Sequence, residues 1–281
     1  MIVFDILSKV KKMPLRVIIN RVINRVSLYW YSRIDICSTI FFNFRALPII
    51  QAIKFPIFIY QNTYVIGIGE IHILSKIKTG MIRIGIDPVG GDITKIIGAG
   101  KYNFEGEIEI CSGAIIENNG EINFGNNVYL ASNVRLACFK KINIGNCSRI
   151  GYATKIMDSD YHFLFDTVKN TIHRNTVEVN IDRGAWILDY SKIMKGSFLP
   201  KNCIVIGGSL VNKDYRDYGE NLILAGTPAK VIGNAKRRIF NKKEELKLRR
   251  FFEENPDIDS ITLEIKNIDE FCYRHFFDCN R

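Results

Sequence analysis

Histidine is scarce in this 281-residue chain, with four in total, and so are tryptophan, with two, and proline, with seven. Chemistry that needs a cluster of imidazoles therefore has few positions to draw on. Seven cysteines are odd in number, widely scattered and without a C-x-x-C spacing. That pattern excludes a disulfide framework and points to a reducing compartment in which the thiols serve as small core hydrophobes. No apolar run is long enough to span a bilayer, since the one at 36–44 is short and bounded by Asp35 and Arg45. Near the start, Lys9, Lys11, Lys12 and Arg16 interrupt any apolar stretch of a secretory signal, so the expectation is a cytoplasmic protein. No Pro- or Ser-rich linker divides the chain, which reads as one domain with extensions.

Hydrophobic residues make up 47% of the chain and charged residues 24%, as in an ordinary globular protein. The net charge of +10 is uneven. Residues 1–50 carry eight Lys/Arg against Asp5 and Asp35, and residues 236–250 carry eight against Glu244 and Glu245, which leaves the middle slightly acidic. Such ends are either solvated helix faces or surfaces for an anionic partner, including peripheral contact with the inner face of a membrane. No aromatic-plus-basic recognition pattern accompanies the charge, so nucleic acid is not an expected partner.

The organising pattern is a period of six. Aliphatic residues recur at Ile181, Ile187, Ile193, Leu199, Val205 and Val211, a spacing that fits neither a 3.6-residue helix nor long two-residue alternation. Upstream, Phe104/Phe124/Ile144, Ile110/Leu130/Ile150 and Ile116/Leu136/Ile156 repeat every twenty residues. Each turn of chain thus has three six-residue sides and a two-residue step, the signature of a three-sided parallel β-helix. Asn126, Asn127, Asn146, Gly113 and Gly151 fall between the aliphatic positions, where sharp corners are expected. The fold class is all-β with helical extensions at both ends. Residues 1–60 are expected to form a basic N-terminal helical extension leading into strands, residues 61–233 the β-helix, and residues 234–281 a basic C-terminal helical extension. Within the first, 1–12 and 15–30 read as helices, the second amphipathic, and 40–44 as leading toward a strand. Residues 235–254 read as a charged helix, and Phe271, Tyr273, Phe276 and Phe277 as a tail that folds back. The six-residue register breaks once, over an excursion at 157–180, and an interruption of that length in a compact repeat is usually functional.

Four segments carry a family resemblance: Asp158-Ser-Asp160-Tyr161-His162; Trp186-Ile187; Gly207-Gly208-Ser209-Leu210-Val211; and Ala225-Gly-Thr227-Pro228-Ala-Lys230. Together they resemble the hexapeptide-repeat acyltransferases, and within them the O-acetyltransferases of bacterial capsule, O-antigen and exopolysaccharide biosynthesis. The resemblance implies a left-handed coil, acetyl-CoA as acyl donor, a sugar or polysaccharide acceptor and a homotrimer with its cofactor groove between neighbouring coils. It implies that Trp186, Gly207, Ser209, Lys213, Thr227 and Lys230 line that groove. Gly207 and Gly208 would allow close approach of pantetheine to backbone, and a free N–H there would polarise the thioester carbonyl. Leu188, Pro200 and Ile206 stand where the family often has glycine, which bears on the width of the channel.

Transfer to a hydroxyl needs a base, and histidine suits the task near neutral pH. His162 alone among the four sits at the break of the coil beside carboxylates. If residues 158–162 are extended, Asp158, Asp160 and His162 share one side, with Asp160 the first choice to orient the imidazole and Asp158 the second. A metal site is disfavoured, because β-helix carbonic anhydrases use three histidines and His173 is the one plausible second ligand here. Tyr161, His173 and Arg174 on the excursion are expected to form the acceptor wall. Two alternatives stay open: N-acetylation of an amino-sugar nucleotide, and a non-catalytic scaffold or membrane-surface module.

Overall fold

The computed structural model describes residues 33–67, 69–86 and 92–273. The helices expected at 1–12 and 15–30, and Phe276 and Phe277 of the tail, lie outside these residues.

Three parallel sheets wrap around one core. The first face has nine strands, the second seven and the third six. Consecutive strands of the chain step from face to face, as six-residue units require, and each strand pairs with its counterpart one turn away. Leu130 pairs with Ile150, twenty residues on, and Leu136 with Ile156. Past the excursion the turns shorten, and Ile187 pairs with Val205, eighteen on. The arrangement is that typical of a left-handed β-helix. Every aliphatic residue in the six-residue register is 2% exposed or less, from Ile110 through Val211, so each column of the core is continuous from turn to turn. Phe104 and Phe124 stack in one column with ring centroids 5.5 Å apart.

The corners divide the labour differently from the simple expectation. Asn127 and Gly113 do adopt left-handed backbone, but so do Cys147 and Ala153. Asn146 instead accepts the Asn126 N–H at 2.6 Å, and Asn126 accepts the Glu107 N–H at 2.9 Å, so side-chain amides tie successive corners together. Gly151 is required by crowding, because a Cβ there would lie 2.5 Å from Asp189 Oδ1.

Residues 40–44 do not lead toward a strand. They belong to a helix, α1 (Ile36–Ala46), followed by the short α2 (Ile49–Ala52). Asp35 caps α1 by accepting the Ser38 N–H at 3.0 Å, and Thr39 and Asn43, four apart, fall on one helical face. That face meets the first coil strand, Ile57–Ile59, four residues ahead of the boundary expected at 61. Asn43 Nδ2 donates to the Ile57 carbonyl at 2.7 Å, and its Oδ1 accepts the Ile57 N–H at 3.2 Å. Thr39 Oγ1 accepts the Ile59 N–H at 3.0 Å. The loosely patterned residues from 71 to 100 also belong to the coil, but their turns are long: Val65 pairs with Ile96 and Ile84 with Ile110.

At the other end the chain closes on an antiparallel pair, Ile223–Gly226 with Ala229–Gly233. Helix α3 (Lys242–Glu254) and helix α4 (Ile268–Tyr273) follow. The tail folds back as expected. Tyr273 is buried, stacks on Phe240 at 5.3 Å and donates from its hydroxyl to Asn202. Asp269 of α4 engages both Arg183 of the coil and Arg237. Burial acts to raise the Asp269 pKa, and the two guanidiniums more than offset it, so the net shift is downward.

Two outcomes follow. Replacing Asn43 by Leu leaves the Ile57 N–H and carbonyl buried and unpaired, which should lower unfolding free energy by about 2–4 kcal/mol in urea titrations. Because the Asp269 pKa is depressed, its contribution is present above the ordinary aspartate value of about 3.9 and is lost as pH falls through the lower folded value. Acrylamide quenching of Trp186, in a Trp30→Phe background, should therefore report release of the C-terminal arm below about pH 4. Asp269→Asn should show that looser state already at pH 7.

Candidate functional site

The excursion leaves the second face after Lys155–Met157 and returns to the third at Val179–Ile181. Its base is an antiparallel bridge between Ser159 and Thr176, and its tip is a small hairpin, Phe165–Asp166 with Thr171–Ile172. Asp166 Oδ1 accepts the Val168 and Lys169 N–H groups, both at 2.9 Å, and shapes the hairpin turn.

Asp158 is not beside the imidazole. It is fully buried at the root of the arm, where its carboxylate accepts three backbone N–H groups: Phe139 at 2.8 Å, Lys140 at 2.7 Å and Lys141 at 2.7 Å. The Cys138 thiol lies 3.5 Å away, and burial together with this carboxylate pushes its pKa up. Asp160 is engaged as well, in an ion pair with Lys195 at 2.5 Å. The shared side expected for Asp158, Asp160 and His162 fails because the segment is not extended. Tyr161 has a φ of 62°, and the His162 N–H donates to the Asp160 carbonyl at 2.7 Å, a three-residue turn that breaks the alternation.

His162 is left exposed, and its ring has no hydrogen-bond or ion-pair partner among the described residues. Its neighbour pins it. Tyr161 donates to Glu117 Oε2 at 3.0 Å and sets its ring edge against Phe139 at 5.1 Å. Burial and the Glu117 carboxylate raise the Tyr161 pKa, so the phenol stays a donor. Of the other expected acceptor contacts, His173 has its Nε2 3.5 Å from Thr171 Oγ1, and Arg174 is exposed. Among the described residues no three His, Cys, Asp or Glu side chains gather as metal ligands.

Trp186, Gly207 and Gly208 come together in a cleft of about 450 Å³, completed by Leu188, Asp189 and Tyr190. It runs along the edge between the first and second faces. Gly208 has a φ of 73°, and no atom lies within 4 Å of where a Cβ would stand. Its N–H, however, donates to the Asp189 carbonyl at 2.9 Å, so the free donor of the pair, among the described residues, is Gly207. Ser209 does not line the cleft. It is buried, donating to the Ile206 carbonyl at 2.5 Å and accepting the Gly226 N–H at 3.2 Å, which ties this corner to the closing strands. Thr227 Oγ1 lies 3.5 Å from the Gly208 carbonyl on the rim, and Lys230 is exposed on the last strand. Lys213 lies on a different edge of the same copy: it follows Leu210–Val211 between the second and third faces, where Lys195 sits one turn earlier.

Sequence reasoning missed three features. Tyr190, in the cleft, sets its ring edge against Tyr152 at 5.5 Å. Arg238 lies over the Trp186 ring at 4.6 Å and the Phe240 ring at 5.0 Å, and burial lowers its pKa. Nothing in the spacing of the C-terminal arm indicates that contact. On the third face, Asn103, Asn123, Asn143 and Asn180 form an amide ladder, each link 2.6 Å. The twenty-residue recurrence of its first three members is a signal that could have found it.

In one copy of the chain, His162 and the cleft thus occupy different edges of the coil, with the second face between them. No protein-family model and no curated protein matches the sequence. Solved structures that resemble it include the polySia-specific acetyltransferase NeuO, at 16% identity over 73% of this chain and 82% of that one, TM-score 0.47. The polysialic acid O-acetyltransferase OatWY is similar at 17% identity over 68% and 96%, TM-score 0.34. AntD, an N-acyltransferase from Bacillus cereus, is similar at 14% identity over 72% and 89%, TM-score 0.39. The fold assignment stands on the strand register of the chain itself.

Asp158 holds three backbone donors in a dry site, so Asp158→Ala should destabilise the protein by about 3 kcal/mol or more, read by chemical denaturation. An equal loss of activity with no loss of stability would instead assign it a chemical role.

Proposed function

We propose that the chain is an acetyl-CoA-dependent O-acetyltransferase that acts on a hydroxyl of a sugar or surface-polysaccharide precursor, with His162 as general base. The observation that carries this reading is an exposed imidazole, otherwise unengaged among the described residues, on an arm anchored by Tyr161 and Asp158. The cleft fits the donor: it has an aromatic wall in Trp186, open space at Gly208, an N–H at Gly207 unengaged among the described residues, and, three residues after Thr227 on its rim, the exposed Lys230 ammonium for a phosphate. Bound there, acetyl-CoA would supply its acetyl group as an activated thioester.

The residues divide the work accordingly. Neutral His162 accepts the proton of the acceptor hydroxyl as that oxygen attacks, and the imidazolium returns it to the departing sulfur. The Gly207 N–H donates to the carbonyl oxygen as charge develops on it. Asp160, committed to Lys195, is not the partner of the ring. Since base and cleft lie on different edges, a cyclic homotrimer completes the site by presenting the arm of one copy, with Lys213 on the same edge, to the cleft of the next. Tyr161, His173 and Arg174 then face the acceptor.

The test is CoA release with a panel of hydroxyl- and amino-bearing sugars. His162→Ala should lower turnover by roughly 10²–10⁴-fold with thermal stability unchanged. Co-assembly of His162→Ala with Gly207→Trp chains should restore part of the activity, because some edges then pair an intact base with an intact cleft. Turnover that survives His162→Ala would remove the base, and an absence of rescue would remove the shared site.

A further inference from the structure

We infer that the N-terminal end of the coil is a docking face for an anionic lipid surface. Helix α1 packs a largely polar face on the coil and turns an apolar one outward. Phe42, with Thr39 and Asn43, is buried against the coil. On the opposite side Ile36, Ile40, Phe41 and Phe44 stand out, and α2 with the residue after it adds Ile49, Ile50 and Ile53; these seven are between 45% and 74% exposed. An outward apolar cluster of this kind marks an interaction site rather than the scatter of single apolar residues found on any surface. The helices are not loosely attached. Leu47 and Ala52 are buried in the main core, and Phe44 meets Phe55 edge to face at 6.0 Å.

Charge on this face selects the partner. Arg45 and Lys54 are exposed at its margin, and neither side chain is in an ion pair among the described residues. Between residues 33 and 54 the one carboxylate, Asp35, is committed to the Ser38 N–H and hydroxyl at 3.0 and 2.8 Å. In sequence, residues 1–32 place six more Lys/Arg against Asp5 directly before it. An aliphatic and aromatic patch with basic margins is the composition of a surface that lies in the interfacial region of an anionic bilayer. Among the described residues no helix is long and apolar enough to cross a membrane, so the contact is peripheral. The cleft at Trp186 and Gly207 lies five to six coil turns from this end, about 25–30 Å at one strand spacing per turn. Docking therefore leaves it open to solvent.

Co-sedimentation of the full chain with phosphatidylglycerol–phosphatidylcholine vesicles, and with phosphatidylcholine alone, tests this. The wild type should pellet with the anionic vesicles and at least tenfold less with the neutral ones. The outward-facing pair Ile40→Asp/Phe41→Asp should lose binding to both by roughly tenfold or more, with thermal unfolding as the control for folding. Arg45→Glu/Lys54→Glu, which keeps the apolar patch, should lose binding to the anionic vesicles selectively. A wild type that stays in the supernatant, or aspartate variants that pellet as the wild type does, would overturn the inference. So would a smaller oligomer for Ile40→Asp/Phe41→Asp in the absence of vesicles, because a second copy would then be the occupant.

Discussion

A single turn of this coil cannot bury its own inward side chains; it can only be covered by the turns above and below. That mutual dependence governs the rest. Ile110, Leu130, Ile150, Ile187 and Val205 form one column of the core, and the strand hydrogen bonds run in the same direction as the column. Burial of each aliphatic residue is therefore conditional on correct pairing of its strand. Corners inherit this order: the Asn126–Asn146 link and the crowding at Gly151 make sense only when the turns are stacked in register. Even the interruption respects it, since Ile144 on one side and Ile181 on the other, thirty-seven residues on, remain paired across the turn that carries the arm.

The coil supplies rigid edges, and the proposed site is arranged on two of them. One edge carries the arm with His162, rooted by a buried carboxylate and leaned on by a phenol. The next carries the aromatic-and-glycine cleft. Carboxylates that looked free to serve the imidazole are used to hold the scaffold. Asp158 satisfies the backbone of the Phe139–Lys141 corner, and Asp160 satisfies Lys195. The ring is thus positioned by backbone and by Tyr161 rather than by a charged neighbour in the same copy.

How much of this was legible depended on whether a feature is local. The six-residue period from Ile181 to Val211 could be read directly, and so could the cleft glycines, because a turn needing open space leaves a Gly-Gly mark. The first turns of the coil were obscured by their long, uneven corners. Residues 40–44 looked like the approach to a strand because Ile and Phe satisfy that composition; the Asp35 cap and the four-residue spacing of Thr39 and Asn43 decide otherwise. The grouping of Asp158 with His162 assumed an extended backbone, and one left-handed residue, Tyr161, defeats it. Lys213 was grouped with the cleft by the family resemblance, and within one copy the coil puts it on another edge. Arg238 meets Trp186 through a chain reversal that no spacing encodes.

The side chains of Thr39 and Asn43 occupy the N–H and carbonyl groups that the first strand would otherwise offer outward. A solenoid with that rung bare could accept another copy end to end and grow into a fibre by the same pairing that builds its interior. Two amphipathic side chains on a short helix thereby close the first rung of the coil against end-to-end growth.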